Sequence, residues 1–589
     1  MLLQNLTRLR ELYLDGVNIS AQGSEWCQAI SSSLPELRIL SLQLCSLSGP
    51  LHPSLSKLHF LSVVLLDGNY ILSSVPNFFA NFSYLSTMSL SVCGLNNSLS
   101  GSIPQSLFTL PSLKILILSY NQLSGRLYEF PTLQFSNIVE LDLRGNRLEG
   151  QIPESFFTLE RLEILDLSHN FFNGTVQLEK FQRLQYLRSL HLSHNFFNGT
   201  VQLEKFQRLQ YLRSLDLSYN NLSVDTSITN TSLSTFPQLL CLSGAIPTSF
   251  CNATQLEVLD LSANKLSELF RREPPSVPSQ LQSLQVLNVG NNNIDDGFTC
   301  MLPSSLRVLV LRSNRFHGQV RCSRSWSNLQ IIDIASNNFT GYLYTKSFSG
   351  MMLEKDAHLK SDYIHYSRSF ELGGGQYYTV KVIVKGVELD FEKILTIFMA
   401  IDFSCNNFQG EIPDAIGDLS SLYVLNLSHN TFAGIIPKSL GNLTQLGSLD
   451  LSTNQLTGEI PQELTCLTFL EALNLSNNQL IGPIPSGPQF QTFSTDSFQG
   501  NTGLCGFPLN ISCRHAGEND NVLPPNSYRK DKTINWDYVS VALGYVIGLG
   551  SIFRLFSFVE ASNTSSMIKL SKLLKRYLTP KAGEDIEEE

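Results

Sequence analysis

Leucine returns along this chain in a fixed phase. The string L-x-x-L-x-L-x-x-N occurs seventeen times, usually at a step of 24 or 25 residues. Clear copies are Leu446, Leu449, Leu451 and Asn454, followed by Leu470, Leu473, Leu475 and Asn478. Within each copy the leucines alternate with polar residues, the period-2 sign of a short strand with one buried face. A repeat of this length cannot bury its apolar face alone, so neighbouring coils must stack into a curved solenoid. Seventeen strands at about 4.8 Å spacing would form an arc on the order of 80 Å long.

The last position of the string is asparagine in fourteen copies, from Asn69 and Asn121 to Asn454 and Asn478. Val17, Cys45 and Cys93 occupy it in three early copies. The strand turns there, and a buried amide is expected to bond the backbone of the next coil. A thiol substitutes weakly and valine not at all, which predicts a loose first repeat. Several copies carry a second element downstream, such as Gly150-Gln151-Ile152-Pro153 and Gly458-Glu459-Ile460-Pro461. Glycine permits a turn and proline fixes φ where no ladder donor is required. With this element the repeats resemble the plant-specific class of extracellular leucine-rich repeats. The fold class expected is α/β: a curved leucine-rich-repeat solenoid of short parallel strands with 3-10 and loop segments, followed by a single transmembrane helix.

The rhythm is interrupted in three places. Residues 167–190 are repeated without change at 192–215, adding one coil. Near Phe236–Cys241 a Gly244-Ala245-Ile246-Pro247 element arrives without its strand, which predicts a local stacking defect. Between Asn337 and Asn406 an insert replaces the usual spacing. It is rich in Tyr, Lys and Asp and ends in the strand-like run Tyr378–Val384. Inserts of this length in a compact array are usually functional or disordered, and the alternating, aromatic text argues against full disorder. The start at Met1 already reads as repeat text. The natural N-terminus, with its signal peptide and cap, is therefore expected to be missing from this chain.

After the repeats, Leu504-Cys505-Gly506 and Cys513 read as a capping unit closed by a Cys505–Cys513 disulfide; no His/Cys partners at ligand spacing favour a metal instead. A polar linker precedes Val539–Val559, 21 positions that are apolar except for Arg554. That length spans a bilayer core, and Arg554 lies near enough to the end to snorkel. Gly544 and Gly548 within it form a small-xxx-small pair that lets another helix approach. The basic amphipathic stretch Ile568–Leu578 and an acidic tail follow, without phosphate-loop or kinase motifs.

Charge changes the picture little. The net charge is −9 with 15% charged residues and no basic stripe, which excludes nucleic acid as the expected partner. Fourteen N-x-S/T sequons before residue 515 do change it, favouring a secreted glycoprotein. Candidate acceptors are Asn5, Asn81, Asn173, Asn198, Asn252, Asn338, Asn442 and Asn510. No nucleophile, metal cluster or cofactor motif stands out, so no catalytic residue, metal or cofactor is expected and the chain reads as non-enzymatic. His169, His194 and His429 recur just before the asparagine, and Asp142, Asp166, Asp216, Asp260, Asp333, Asp402 and Asp450 recur between the strand leucines. Both columns read as consensus residues on the exposed strand face.

The order of segments follows. Repeats fill 1–341, a non-repeat island 342–396, four more repeats 397–485, the cap 486–515, a linker 516–537, the span 538–560 and a short tail 561–589. This order resembles plant leucine-rich-repeat receptor-like proteins, and more narrowly the Verticillium wilt disease resistance class. The resemblance is carried by Glu11–Val17, Ser56–Leu61, Lys385-Gly386-Val387-Glu388, Asp402–Phe408 and the Leu504-Cys505-Gly506 cap. It implies a kinase-less, single-pass plasma-membrane receptor of type I with extracellular repeats, binding a peptide or microbial protein in plant defence. It places ligand sensing in the island, with Tyr377, Tyr378, Lys385 and Glu388 as candidate contacts. A co-receptor kinase would meet the last four repeats at His429, Asp450 and Thr453, and an adaptor kinase would pair with the span through Gly544 and Gly548. The competing readings are a leucine-rich-repeat inhibitor or decoy and a developmental peptide receptor.

Overall fold

The computed structural model describes residues 6–91, 99–131, 136–201, 209–224, 255–267, 283–298, 300, 302–322, 328–344 and 398–513, with the backbone of four strands between 365 and 391. The chain divides into two units, Met1–Arg514 and His515–Glu589. The second lies outside the described residues, and with it the apolar run 539–559. Among the described residues no helix is long and apolar enough to cross a membrane.

The first unit is a solenoid. Each repeat contributes one three-residue strand to a parallel sheet of seventeen strands, from Glu11–Tyr13 to Ala472–Asn474. Register is kept from coil to coil: Leu141, Leu165, Leu190 and Leu215 are paired in turn, as are Asp142, Asp166, His191 and Asp216. The leucines of each string, for example Leu162, Leu165 and Leu167, point inward and are buried. A one-residue slip would turn that set to solvent, so the leucine phase alone fixes the register. On the outer side the Gly-x-Ile-Pro element makes a second, broken layer. Its strands form a six-stranded sheet within residues 100–224 and a seven-stranded one within 317–505. The proline then starts a 3-10 turn, as Pro153 does for Glu154–Thr158 and Pro437 for Lys438–Asn442. The long first step also holds an α-helix, Gly23–Ser33, which buries Trp26, Cys27 and Ile30. The strand-and-turn text gave no sign of it.

The strand ends at a sharp bend whose geometry recurs in each described coil. The residue before the asparagine slot is left-handed, with φ between +50° and +54° at Tyr120, His169, His194, Tyr219, Ala263, Cys405, His429 and Thr453, and glycine at Gly68 and Gly145. For an L residue this conformation costs about 1–2 kcal/mol. The buried asparagine holds it. Asn170 Nδ2 donates to Leu143 O at 3.0 Å, Leu167 O at 3.2 Å and Ser168 O at 3.1 Å, while Oδ1 accepts from Leu148 N at 3.0 Å. Leu143 and Leu148 belong to the preceding coil, so the amide ties back to the coil before it rather than forward to the next. The same four bonds recur at Asn146, Asn195, Asn430 and Asn478. Cys45 supplies a weaker version, its thiol donating to Leu14 O at 3.1 Å. Val17 has nothing to donate and stands 41% exposed. At the other end the cap extends the ladder: Asn501 Nδ2 donates to Leu475 O at 2.9 Å and Oδ1 accepts from Leu480 N at 3.1 Å.

The interruptions leave this ladder whole. At the joint, strand Ser214–Asp216 pairs directly with Val258–Asp260, and Asn264 accepts from Leu222 N across 42 residues of sequence. The expected stacking defect is therefore absent from the seventeen-stranded sheet. Among the described residues the outer layer loses its regular strands between Asn221–Val224 and His317–Gln319, yet single backbone bonds still join these coils, Lys265 N to Leu222 O at 2.9 Å and Asn293 N to Leu266 O at 2.8 Å. The joint residues themselves lie outside the described part. Across the island, Ile331–Asp333 pairs with Ala400–Asp402, Asn406 bonds Ile334 O and Phe339 N, and Phe339 stacks on Phe408 at 6.3 Å. The island itself forms two antiparallel pairs, His365–Arg368 with Gly375–Tyr377 and Val380–Val384 with Val387–Phe391. The duplicated coil stacks each ring on its own copy, Phe172 on Phe197 at 6.2 Å and Tyr186 on Tyr211 at 6.2 Å.

Asn170→Ala removes a donor and an acceptor that two coils share: the Leu148 amide loses its acceptor, while Leu143 O keeps Asn146 Nδ2, Leu167 O keeps Asn195 Nδ2 and Ser168 O keeps Gly145 N. A loss of about 1–3 kcal/mol is expected at this coil, read as lost hydrogen-exchange protection at the Leu148 amide and as a lower Tm. Unchanged protection would remove the asparagine ladder as the element that joins coils.

Candidate binding face

The residues between the strand leucines face outward along the concave sheet, and the structure corrects the expectation that the aspartates there are consensus residues on an exposed face. Asp142, Asp166, Asp260, Asp333 and Asp402 are buried, Asp166 to 1%. Each folds onto its own bend: Asp166 Oδ1 accepts from Ser168 N at 3.0 Å and from Ser168 Oγ, and Asp402 does the same with Ser404. Asn288, Asn426 and Asn474 do this with an amide oxygen. The column is a series of Asx turns that shape the bend.

Two neighbourhoods of the sheet depart from this text. Most carry Ser two places after the Asx residue; Arg144 and Arg312 replace it. Arg144 lies 3.3 Å from Asp142 Oδ2 and 3.5 Å from Asp166 Oδ2, and its guanidinium sits 5.3 Å from the centre of the exposed Tyr120 ring. His191 takes the Asx position in the next coil. Its Nδ1 is 3.4 Å from Asp166 Oδ2 and its Nε2 2.8 Å from Ser214 Oγ. At the rim of the same coils the left-handed residues His169, His194 and Tyr219 stack face to face, at 4.0 Å for each step. A second cluster sets Arg312 3.1 Å from Asp333, beside Asp402, where the island joins. Rings and guanidinia on a rigid sheet recognise carboxylates, planar groups and peptide backbone.

Burial dominates the electrostatics. Asp142 is pushed up to about 7 by burial and then by the neighbouring Asp166 charge, and Asp333 to about 7 by burial and Asp402. Burial would raise Asp166 as well, but its hydrogen bond to and charge contact with His191, then Arg144 and Ser168, hold it down at about 2. Burial works against the His191 imidazolium too, yet the Asp166 bond and charge carry its pKa upward. His169 is lowered, chiefly by burial.

The residues expected to contact ligand are placed in part. Tyr377 lies in the strand opposite His365, and Glu388 lies in the hairpin opposite Ile383. Tyr378 and Lys385 fall outside the described residues, as do Gly544 and Gly548. His429 and Thr453 share the left-handed position of neighbouring coils, His429 exposed and Thr453 half-buried, while Asp450 accepts from Ser452 N at 2.9 Å. The structure thus brings His429 and Thr453 together at the rim and keeps Asp450 for the bend. Asn81, Asn173, Asn198, Asn338, Asn442 and Asn510 are exposed; Asn5 and Asn252 lie outside the described residues. Cys505 and Cys513 are bonded, with Cα atoms 5.1 Å apart. A second bridge, Cys300–Cys322, was not anticipated; its separation of 22 residues is close to one coil, which was the available signal. Among the described residues no group of His, Cys, Asp and Glu is placed to hold a metal ion.

The leucine rich repeat family profile matches residues 136–197, 398–456 and 420–480, and a second leucine rich repeat profile matches 208–225 and 280–297. The chain is 49% identical to receptor-like protein 34 of Arabidopsis thaliana over 321 residues, covering 53% of this chain and 32% of that protein. It is 52% identical to receptor-like protein 33 of the same plant over 274 residues, 45% of this chain and 30% of that one. It thus spans about a third of the length of these curated relatives. Among solved structures it is similar to the ectodomain of the Arabidopsis receptor kinase HAESA in complex with an N-terminally extended IDA peptide hormone, with a TM-score of 0.61, 27% identity, and coverage of 87% of this chain and 73% of that one. The PEPR1-AtPEP1 crystal structure gives a TM-score of 0.59 at 26% identity, over 84% and 61%.

The raised carboxyls set a pH dependence. Between about 4 and 7 the folded chain holds protons on Asp142 and Asp333 that the unfolded chain has released, so stability falls as pH rises through that window. His191 extends the fall above its ordinary value of about 6.5. Asp166 acts oppositely, adding stability that is lost only as pH falls below about 4 toward 2. Thermal melts are expected to give a higher Tm at pH 5 than at pH 8, and Asp142→Asn with Asp333→Asn to flatten the difference. An unchanged slope in that double variant would refute the assignment.

Proposed function

We propose that this leucine-rich repeat chain, similar to the plant receptor-like proteins, is the recognition part of a kinase-less receptor at the plasma membrane. It binds an extracellular peptide or microbial protein and signals in plant defence, in the manner of the Verticillium wilt resistance class, through partner receptor kinases. The observation that carries the reading is the concave sheet between Tyr120 and Tyr219. Its repeat text gives way there to a ring stack and an arginine–carboxylate cluster, on a frame that each coil rigidly fixes. The likeness to the HAESA ectodomain solved with a peptide hormone supports a peptide or an extended protein segment as the ligand class.

In this reading the island supplies Tyr377, Tyr378, Lys385 and Glu388 to the ligand, His429 and Thr453 at the rim of the last repeats meet a co-receptor kinase, and the segment 538–560 crosses the membrane and pairs with an adaptor kinase through Gly544 and Gly548. A developmental peptide receptor is the second reading, favoured by the hormone-bound state of the HAESA ectodomain.

The chain produced in leaf tissue behind a secretory leader is expected to stay with membranes through a carbonate wash and to confer a defence response to fungal culture filtrate. Tyr377→Ala, Tyr378→Ala and Lys385→Ala together should abolish that response at equal protein level. Release by the wash would sink the membrane receptor, and a full response from the triple variant would remove the island as the sensing element.

A further inference from the structure

Two phenyl rings stand open on the outer layer of the duplicated coil. Phe171 is 47% and Phe196 61% exposed, and their rings stack at 6.0 Å with an interplanar angle of 13°. Elsewhere in these strands the outward residues are mainly polar, and an apolar pair held open to water is normally covered by something. The strand pattern shows what lies beside it. In Phe171–Thr175 the exposed positions are Phe171, Asn173 and Thr175, and in Phe196–Val201 they include Phe196, Asn198 and Thr200. Asn173-Gly174-Thr175 is a sequon, and the parallel register sets Asn173 directly beside Phe196 and Thr175 beside Asn198. Asn173 therefore lies in the angle between two rings, one two residues before it on its own strand and one opposite it on the next.

We infer that Asn173 carries an N-linked glycan whose first N-acetylglucosamine lies on the Phe171–Phe196 platform. A pyranose of this type has one face of C–H groups and an equatorial polar edge, so it covers a phenyl ring while its hydroxyls stay in water. Oligosaccharyl transfer from a lipid-linked diphosphate donor forms the bond from the anomeric carbon to Asn173 Nδ2. It breaks that carbon's bond to the diphosphate oxygen and releases the amide proton with the lipid diphosphate. Asn198 has one ring on its own strand and Asn221 opposite it, so its sugar has half the platform. The residues two before Asn18, Asn338 and Asn510 are Gly16, Ser336 and Pro508, those before Asn81 and Asn442 are the buried Phe79 and Leu440, and the ring before Asn221, Tyr219, is stacked on His194. The inference rests on the extracellular placement of the repeats proposed above.

The test uses the full chain produced in plant cells behind an added leader and purified from whole-cell extract, so that entry into the secretory path is forced and does not depend on the receptor reading. Glycopeptide mass spectrometry should find Asn173 occupied. Under native conditions a peptide-N-glycosidase should release this glycan about threefold or more faster from Phe171→Ser/Phe196→Ser than from the parent chain, the effect of losing roughly one aromatic contact. Phe171→Trp should restore slow release, and the glycan at Asn442 should be released equally from all forms. An unoccupied Asn173, or a release rate at Asn173 indifferent to the rings, would overturn the inference.

Discussion

A side-chain amide that bonds four backbone groups in two coils is the constraint on which this molecule rests. Asn170 and its equivalents satisfy donors and acceptors that the bend after each strand would otherwise leave buried and unpaired, each a penalty of about 1–3 kcal/mol. That sum exceeds the strain of the left-handed residue just before it. A histidine, tyrosine or cysteine can therefore occupy a conformation that glycine adopts freely. The strained position stands at the rim of the concave sheet, one above the next, and the stack of His169, His194 and Tyr219 exists because the ladder beneath it is repeated without variation.

The same logic decides which outward residues are free to serve recognition. The aspartates between the leucines look available in the sequence because they alternate with buried positions. They are instead committed to the backbone amide two residues on, and burial by the neighbouring coils follows from strands only about 4.8 Å apart. Asn288 and Asn426 do the same work without charge. Carboxylates fall in adjacent coils in three places, Asp142 with Asp166, Asp216 with Asp260 and Asp333 with Asp402, and in the first and last of these an arginine joins them. Arg144 takes the serine position in the coil of Asp142, and Arg312 takes it in the coil before Asp333.

How far this was legible beforehand depends on the range of the interaction. The leucine phase is a local signal with a two-residue period, and it gave the number and register of the strands. The Gly-x-Ile-Pro element likewise gave the outer turns. The helix Gly23–Ser33 was not visible, because its apolar residues Trp26, Cys27 and Ile30 follow helical spacing inside one coil of unusual length. The Cys300–Cys322 bridge and the His191–Asp166 contact join neighbouring coils, so they are written at separations of 22 and 25 residues rather than within one repeat. Aligning the repeats column by column exposes both. His191 against Asp216 is the first difference after the duplicated stretch, and Arg144 and Arg312 are departures from serine. The buried state of the aspartates was misjudged because alternation tells which face a residue takes, not how closely the next coil covers it.

The interruptions follow from the ladder as well. Asn264 reaches Leu217 and Asn406 reaches Ile334 with the same bonds that other coils make over a single repeat, although 47 and 72 residues separate the partners. What the solenoid requires of any two neighbouring coils is one asparagine, three inward leucine-type residues and a strand; the chain between them is unconstrained by stacking. A loop lengthened at such a point loses only the weakly length-dependent entropy of closing it. Repeats can be duplicated, as at 167–215, or fused, as near Cys241, without disturbing the concave face. Sequence that changes binding is therefore admitted most cheaply in two places: in the outward columns of intact coils, and in an island that leaves and rejoins the ladder. The arginine–carboxylate cluster of Arg312, Asp333 and Asp402 lies where the two meet. Two carboxyls and one guanidinium share that seam, where burial first and the adjacent Asp402 second raise the Asp333 carboxyl, so the outward column and the edge of the island meet at the least ordinary text of the sheet.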